Sequence, residues 1–140
     1  MHQNRPLIVA SDSSCGQSGF FNAITVDRRN SQIVYAGELF GQVIRSTDGG
    51  QTFDPASTGL AGEGVNGIAQ DSAGTLFVWM QGVGLFSSGD NASSWQSVNA
   101  IEAFERSWID AGRPSFVVDP GHPGRLYLGN KEVIQVDAHP

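Results

Sequence analysis

The sequence predicts an all-β chain of repeated, four-stranded antiparallel units, and three observations predict it. Short apolar runs alternate with Gly-rich turns, and 18 of the 140 residues are glycine, which fits tight turns between strands better than disorder. The stretch Ser46-Thr47-Asp48-Gly49-Gly50-Gln51-Thr52-Phe53 returns in degenerate form 42 residues later, as Ser88-Gly89-Asp90-Asn91-Ala92-Ser93-Ser94-Trp95. The preceding strands keep the same spacing, with Tyr35 answered by Phe77. No 3.6-residue periodicity runs through the repeats, which excludes a solenoid of helix pairs. Four short strands in about 42 residues is the period of a propeller blade.

Taken in order, Pro6–Ser11 reads as one strand, followed by a Ser/Gly loop. The first full unit spans 22–62, with strands at 22–27, 32–37 and 42–46 and a short fourth strand around 51–53. The second spans 63–113 and repeats the order at 66–71, 75–79, 84–87 and 95–98. The third, 114–140, has strands at 114–120, 125–129 and 132–136 and ends before a third aspartate hairpin. Runs such as Ile33-Val34-Tyr35 are apolar throughout because stacked sheets cover both faces of a strand. Residues 99–113 break the pattern. Ile101, Phe104, Trp108 and Ile109 recur at roughly helical spacing, with Glu102 and Glu105 early and Arg106 late, so a short helix or structured loop is expected.

Glycine takes positive φ without a Cβ clash, so Gly49-Gly50 marks a tight turn between two strands. Ser46 and Asp48 beside it can accept hydrogen bonds from the turn's own amides.

The net charge of −6, with eight scattered basic residues, argues against nucleic acid or an anionic membrane as partner. A single cysteine, Cys15, permits no internal disulfide and is expected to be a half-buried loop thiol. No Cys/His spacing suggests a metal, and no cofactor is expected. The longest early apolar run, Leu7–Ala10, is too short for a signal h-region or a membrane span.

The hairpin Ser46–Phe53, with its lead-in strands at 22–27 and 33–37, resembles the Asp-box, or bacterial neuraminidase repeat. The likeness covers about residues 22–98 well and 114–136 in part. At 88–95 the turn glycine is replaced by Ala92. Families with such blades include sialidases, xyloglucan-acting glycoside hydrolases, sortilin-type receptors and photosystem II assembly factors. The resemblance implies a propeller but does not choose among these activities. It implies structural roles for Ser46, Asp48, Gly50, Thr52, Phe53, Ser88, Asp90 and Trp95, the carboxylates tying turns and the aromatics packing between blades. It also implies that ligands bind at the opposite end of the blades, supplied here by 38–41, 55–64, 80–83 and 99–113.

At that end Phe40, Phe104, Arg106 and Trp108 are the candidate binding residues, and Trp79 reads as core. Glu38 and Glu102 are the candidate catalytic carboxylates, but Glu63, Glu105 and Asp110 fall in similar predicted loops and spacing singles out no pair. Such acids are by default solvated. A sialidase-like arginine cluster with a Tyr–Glu pair is not evident. Asp27, Asp71 and Asp119 end the first strand of each unit and read as turn residues, as does His122.

About three blades is fewer than the four to eight of a closed propeller. The chain is therefore expected either to belong to a longer propeller or to close a six-bladed ring as a homodimer, with the strand at 7–11 completing the last blade of another copy. The expected function is a non-catalytic module binding a protein or a glycan. The alternative is a fragment or subunit of a glycoside hydrolase.

Overall fold

The computed structural model describes residues 20–39, 41–98, 115–129 and 132–138. These form eleven strands: β1 (Phe21–Val26), β2 (Val34–Glu38), β3 (Val43–Ser46), β4 (Asp54–Pro55), β5 (Val65–Gln70), β6 (Leu76–Met80), β7 (Gly84–Ser88), β8 (Gln96–Ser97), β9 (Ser115–Val118), β10 (Arg125–Gly129) and β11 (Val133–Asp137). They build three antiparallel meanders, ordered β1-β2-β3-β4, β5-β6-β7-β8 and β9-β10-β11. Among the described residues there is no helix, and the three sheets are propeller blades. The first two share even their irregularity. The ladder slips between Phe21 and Ala23 in one and between Val65 and Gly67 in the other.

Side chains alternate across each strand, so every blade has two faces. Tyr35, Val43 and Ala23 of the first blade pack against Val65, Leu76, Val78, Met80 and Phe86 of the second. The opposite face of the second blade, with Phe77, Trp79 and Leu85, packs against Leu126, Leu128 and Val136 of the third. β6 is buried along its whole length because it is the covered middle of a stack, which explains its unbroken apolar run Leu76–Met80. The innermost strands approach closely. A Cβ on Gly37 would collide with Val65, and one on Gly67 with the Phe116 ring.

The fourth strands begin later than the sequence suggests. Residues 51–53 belong to the aspartate turn, and pairing resumes only at Ile44↔Pro55 and Arg45↔Asp54. Pro55, expected to open the loop, sits instead in β4, an edge strand with one side free of ladder bonds. The strand expected at 7–11 and the helix or loop expected at 99–113 lie outside the described residues.

The meander puts the turns after first and third strands at one end. The Gly49 amide donates to the Gln32 carbonyl at 2.8 Å, tying those two turns together. At the other end Glu63 N–H donates to Gln81 O, and Gln81 N–H to Gly64 O, stitching the loop between blades to the β6–β7 turn.

Candidate functional site

At the aspartate end the hydrogen-bonding groups are consumed by the fold. Asp48 Oδ1 accepts from the Ser46 hydroxyl at 2.8 Å and from the Gln51 and Thr52 amides at 3.0 and 2.9 Å. Its Oδ2 accepts from the Thr52 hydroxyl, and Ser46 Oγ accepts from the Gly50 amide at 2.8 Å. The second hairpin repeats this through Ser88, Asp90 and Ser94, with the Ala92 amide donating to Ser88 Oγ at 3.0 Å. The Thr52 hydroxyl and amide and the Ser46 hydroxyl hold the Asp48 pKa down to about 2. The Ser94 and Ser88 hydroxyls do the same for Asp90, also to about 2. Where the first hairpin has glycines at φ 74° and 91°, the second has Asn91 at 58° and Ala92 at 67°. The geometry is kept although the glycine is not.

The aromatic that closes the second hairpin wedges between blades. Trp95 donates from its indole N–H to Ala56 O at 2.7 Å and from its amide to Thr58 O at 2.8 Å. Arg45, on the facing blade, reaches the Asn91 carbonyl. Phe53, in the equivalent position one blade earlier, is half-buried.

The aspartates ending the first strands tie their own turns, as expected. Asp27 Oδ1 accepts from the Arg29 and Asn30 amides, and Asp71 Oδ1 from the Ala73 and Thr75 amides. The sequence reading missed their second oxygens, which latch one blade to the next. Gln70 Nε2 donates to Asp27 Oδ2 at 2.9 Å while the Arg28 amide donates to Gln70 Oε1 at 2.7 Å. The buried Gly124 amide donates to Asp71 Oδ2 at 2.8 Å. In Asp119 the second oxygen meets, among the described residues, only His122 Nδ1 of its own turn, at 3.1 Å. Burial opposes the charge on Asp27, yet the Gln70 amide and the two turn amides outweigh it and lower its pKa. Burial, followed by the Asp27 charge, pushes the Tyr35 phenol up to about 12.

The opposite end is chemically different. Asn66, in the bulge that opens β5, has neither its amide oxygen nor its nitrogen hydrogen-bonded within the protein. The Trp79 indole N–H, near the end of β6, and Gln81 Oε1, in the turn after it, are also without partners. The Tyr35 hydroxyl, between the first two blades, is the other such group outside this end among the described residues. Asn66 and Gln81 are half-buried, although their unpaired polar atoms are themselves closed to solvent, while Glu63 and Val83 beside them are exposed. Asparagine and glutamine beside apolar strands were the available sequence signal.

Glu38 corrects an expectation. It is not a solvated loop acid but the last residue of β2, fully buried, with its amide donating to Gln42 O at 3.0 Å. It occupies the register position of Met80 in the next blade, since Phe21 pairs with Glu38 as Val65 pairs with Met80. Trp79 is core, as expected. Phe40, Glu102, Phe104, Arg106 and Trp108 lie outside the described residues. Among those described, no His/Cys/Asp/Glu group is arranged to hold a metal ion.

This architecture is that of β-propeller blades. The chain is similar to a GH74 xyloglucanase from Xanthomonas campestris, with TM-score 0.63 and 20% identity over 84% of this chain and 22% of that one. It is also similar to YCF48 from Cyanidioschyzon merolae, with TM-score 0.61 and 15% identity over 85% of this chain and 34% of that one. A GH74 enzyme from Niastella koreensis gives 0.60 and 17% identity over 86% of this chain and 18% of that one. At these identities the likeness is one of fold, and the chain spans about a third or less of each of these relatives. No family model matches the sequence, and no curated protein does.

Proposed function

We propose that this chain is a ligand-binding segment of an Asp-box propeller, taking a neutral, hydroxyl-rich glycan at the end opposite the aspartate hairpins. The observation that carries the reading is the unpaired amides of Asn66 and Gln81, on half-buried side chains at that end. A buried polar group without a partner costs ~1–3 kcal/mol, and a ligand that pairs it recovers that cost. Side-chain amides beside an exposed rim suit sugar hydroxyls once the rim opens to them, whereas an anionic ligand would need a fixed countercharge. A protein partner presenting backbone amides is the other ligand of similar chemistry.

The xyloglucanase likeness supports a second reading, a segment of a glycoside hydrolase. The exposed carboxylates described at this end are Glu63, in the loop between the first two blades, and Glu132, in the β10–β11 turn. The two readings separate in one set of measurements. Calorimetry with xyloglucan oligosaccharides is expected to show binding without release of reducing sugar. Asn66→Ala and Gln81→Ala are expected to weaken binding about tenfold each, the size of a lost hydrogen bond of ~1.4 kcal/mol, and Gln51→Ala at the aspartate end leaves it unchanged. Turnover abolished by Glu63→Gln or Glu132→Gln would establish the enzyme reading instead. Binding insensitive to Asn66→Ala and Gln81→Ala would remove the site.

A further inference from the structure

We infer that the ligand site continues across the seam onto the first blade, where Phe20 offers a stacking face and Asn22 a hydrogen-bonding amide, so that its ligand is an oligosaccharide spanning two blades. The inference rests on the glycan reading and adds to it a length of ligand and two residues that touch it.

The repeat brings these residues to the site. The ladder slip between Phe21 and Ala23 recurs between Val65 and Gly67, and the residue left out of each ladder is an asparagine, Asn22 in β1 and Asn66 in β5. A bulge re-aims the side chain it carries. Both bulges lie at the end opposite the aspartate hairpins, since Phe21 pairs with the last residue of β2 and Val65 with the last of β6. The two strands are neighbours. A Cβ on Gly37 would collide with Val65, and Gly37 is the ladder partner of Ala23. Asn22, beside Ala23, and Asn66, beside Val65, therefore flank one seam. Their settings differ: the Asn66 amide is enclosed and unpaired, whereas Asn22 is exposed.

Phe20 holds in the first blade the position of Gly64 in the second. The Leu39 amide donates to Phe20 O at 2.7 Å, as the Gln81 amide donates to Gly64 O at 2.8 Å. What the fold needs there is a backbone acceptor, which glycine supplies. Gly64 is buried, but Phe20 is 65% exposed, so packing does not account for its ring. Among the described residues it is the only aromatic in the set of exposed large apolar side chains. An open aromatic face suits the C–H face of a sugar ring, and amides beside it suit the hydroxyls around the ring's edge. Both additions are uncharged, in keeping with a neutral glycan. Stacked sheets lie ~10 Å apart, so a ligand that stacks on Phe20 and also reaches Gln81, one strand further out on the second blade, spans more than one sugar unit.

The test is calorimetry with the same xyloglucan oligosaccharides and with free glucose and xylose. Phe20→Ala and Asn22→Ala are each expected to weaken oligosaccharide binding about tenfold, with unchanged circular dichroism because both side chains are exposed. Phe20→Trp keeps an aromatic face and is expected to retain binding. Phe20→Leu keeps only apolar bulk and is expected to lose as much as Phe20→Ala. The free sugars, which engage one blade at a time, are expected to bind about a hundredfold more weakly, the product of two such losses. Losses from Asn66→Ala and Gln81→Ala with none from Phe20→Ala and Asn22→Ala would overturn the inference and leave the glycan reading standing. No loss from any of these substitutions, or no binding of the oligosaccharides, would overturn both.

Discussion

Replacing Asp71 by alanine isolates what a single carboxylate contributes to holding one blade on the next. The side chain is buried and accepts three backbone hydrogen bonds, from Ala73, Thr75 and, across the blade boundary, Gly124. The Gly124 amide is buried, so losing its acceptor costs ~1–3 kcal/mol. The Ala73 and Thr75 amides are part-buried and regain some water, at ~0.5 kcal/mol each. Asp71→Ala is therefore expected to destabilise the chain by about 3 kcal/mol, a large share of the ~5–15 kcal/mol available to a domain. That corresponds to a melting temperature lower by about 10 °C. Urea unfolding measures the loss, and hydrogen exchange locates it, with protection of β9–β11 falling before that of β1–β3. Asp119→Ala is the control. It removes the same turn contact but no inter-blade contact described here, so its effect is smaller. Equal losses from the two substitutions would refute the latch, because they would assign the whole effect to the local turn.

Two further outcomes follow from the hairpins. Asp48 and Asp90 each have a folded pKa of about 2 against an ordinary value of 3.8. The folded value is the lower one, so their contribution is present above pH 4 and is lost as pH falls toward 2; the urea midpoint should drop across that window, and Asp48→Asn with Asp90→Asn should flatten the drop. Ala92 holds φ at 67° with its methyl fully buried; Ala92→Gly relieves ~1–2 kcal/mol of left-handed strain against lost burial and a more flexible unfolded chain, so a net gain of up to ~1 kcal/mol is expected in the same unfolding assay.

The sequence exposed the architecture because repetition is visible without tertiary information. The 42-residue spacing of the hairpins, the match of Tyr35 with Phe77 and the aspartates at 27, 71 and 119 all reflect local backbone demands, and each recurs in the structure. Other features depend on where a neighbouring blade falls. Glu38 looked like a loop acid because a charged residue after Gly37 is ordinarily a turn residue, but its strand extends to cover that position. Gln70 looked like any polar strand end; only the stacking of blades brings it onto Asp27. Asn66 and Gln81 carry no motif. Their interest arises from hydrogen bonds that the folded chain leaves unmade, which no residue spacing encodes.

The two latches differ in a way that bears on how such rings grow. Asp27 is held by a glutamine side chain, a partner that one substitution could remove. Asp71 is held by the backbone amide of Gly124, at φ 86°, so the partner is a turn conformation and not a functional side chain. A coupling through main chain asks the neighbour for its turn and for no particular hydrogen-bonding side chain. It lets a gene duplicate, exchange or diverge its blades one at a time, without matched changes on both sides of the seam.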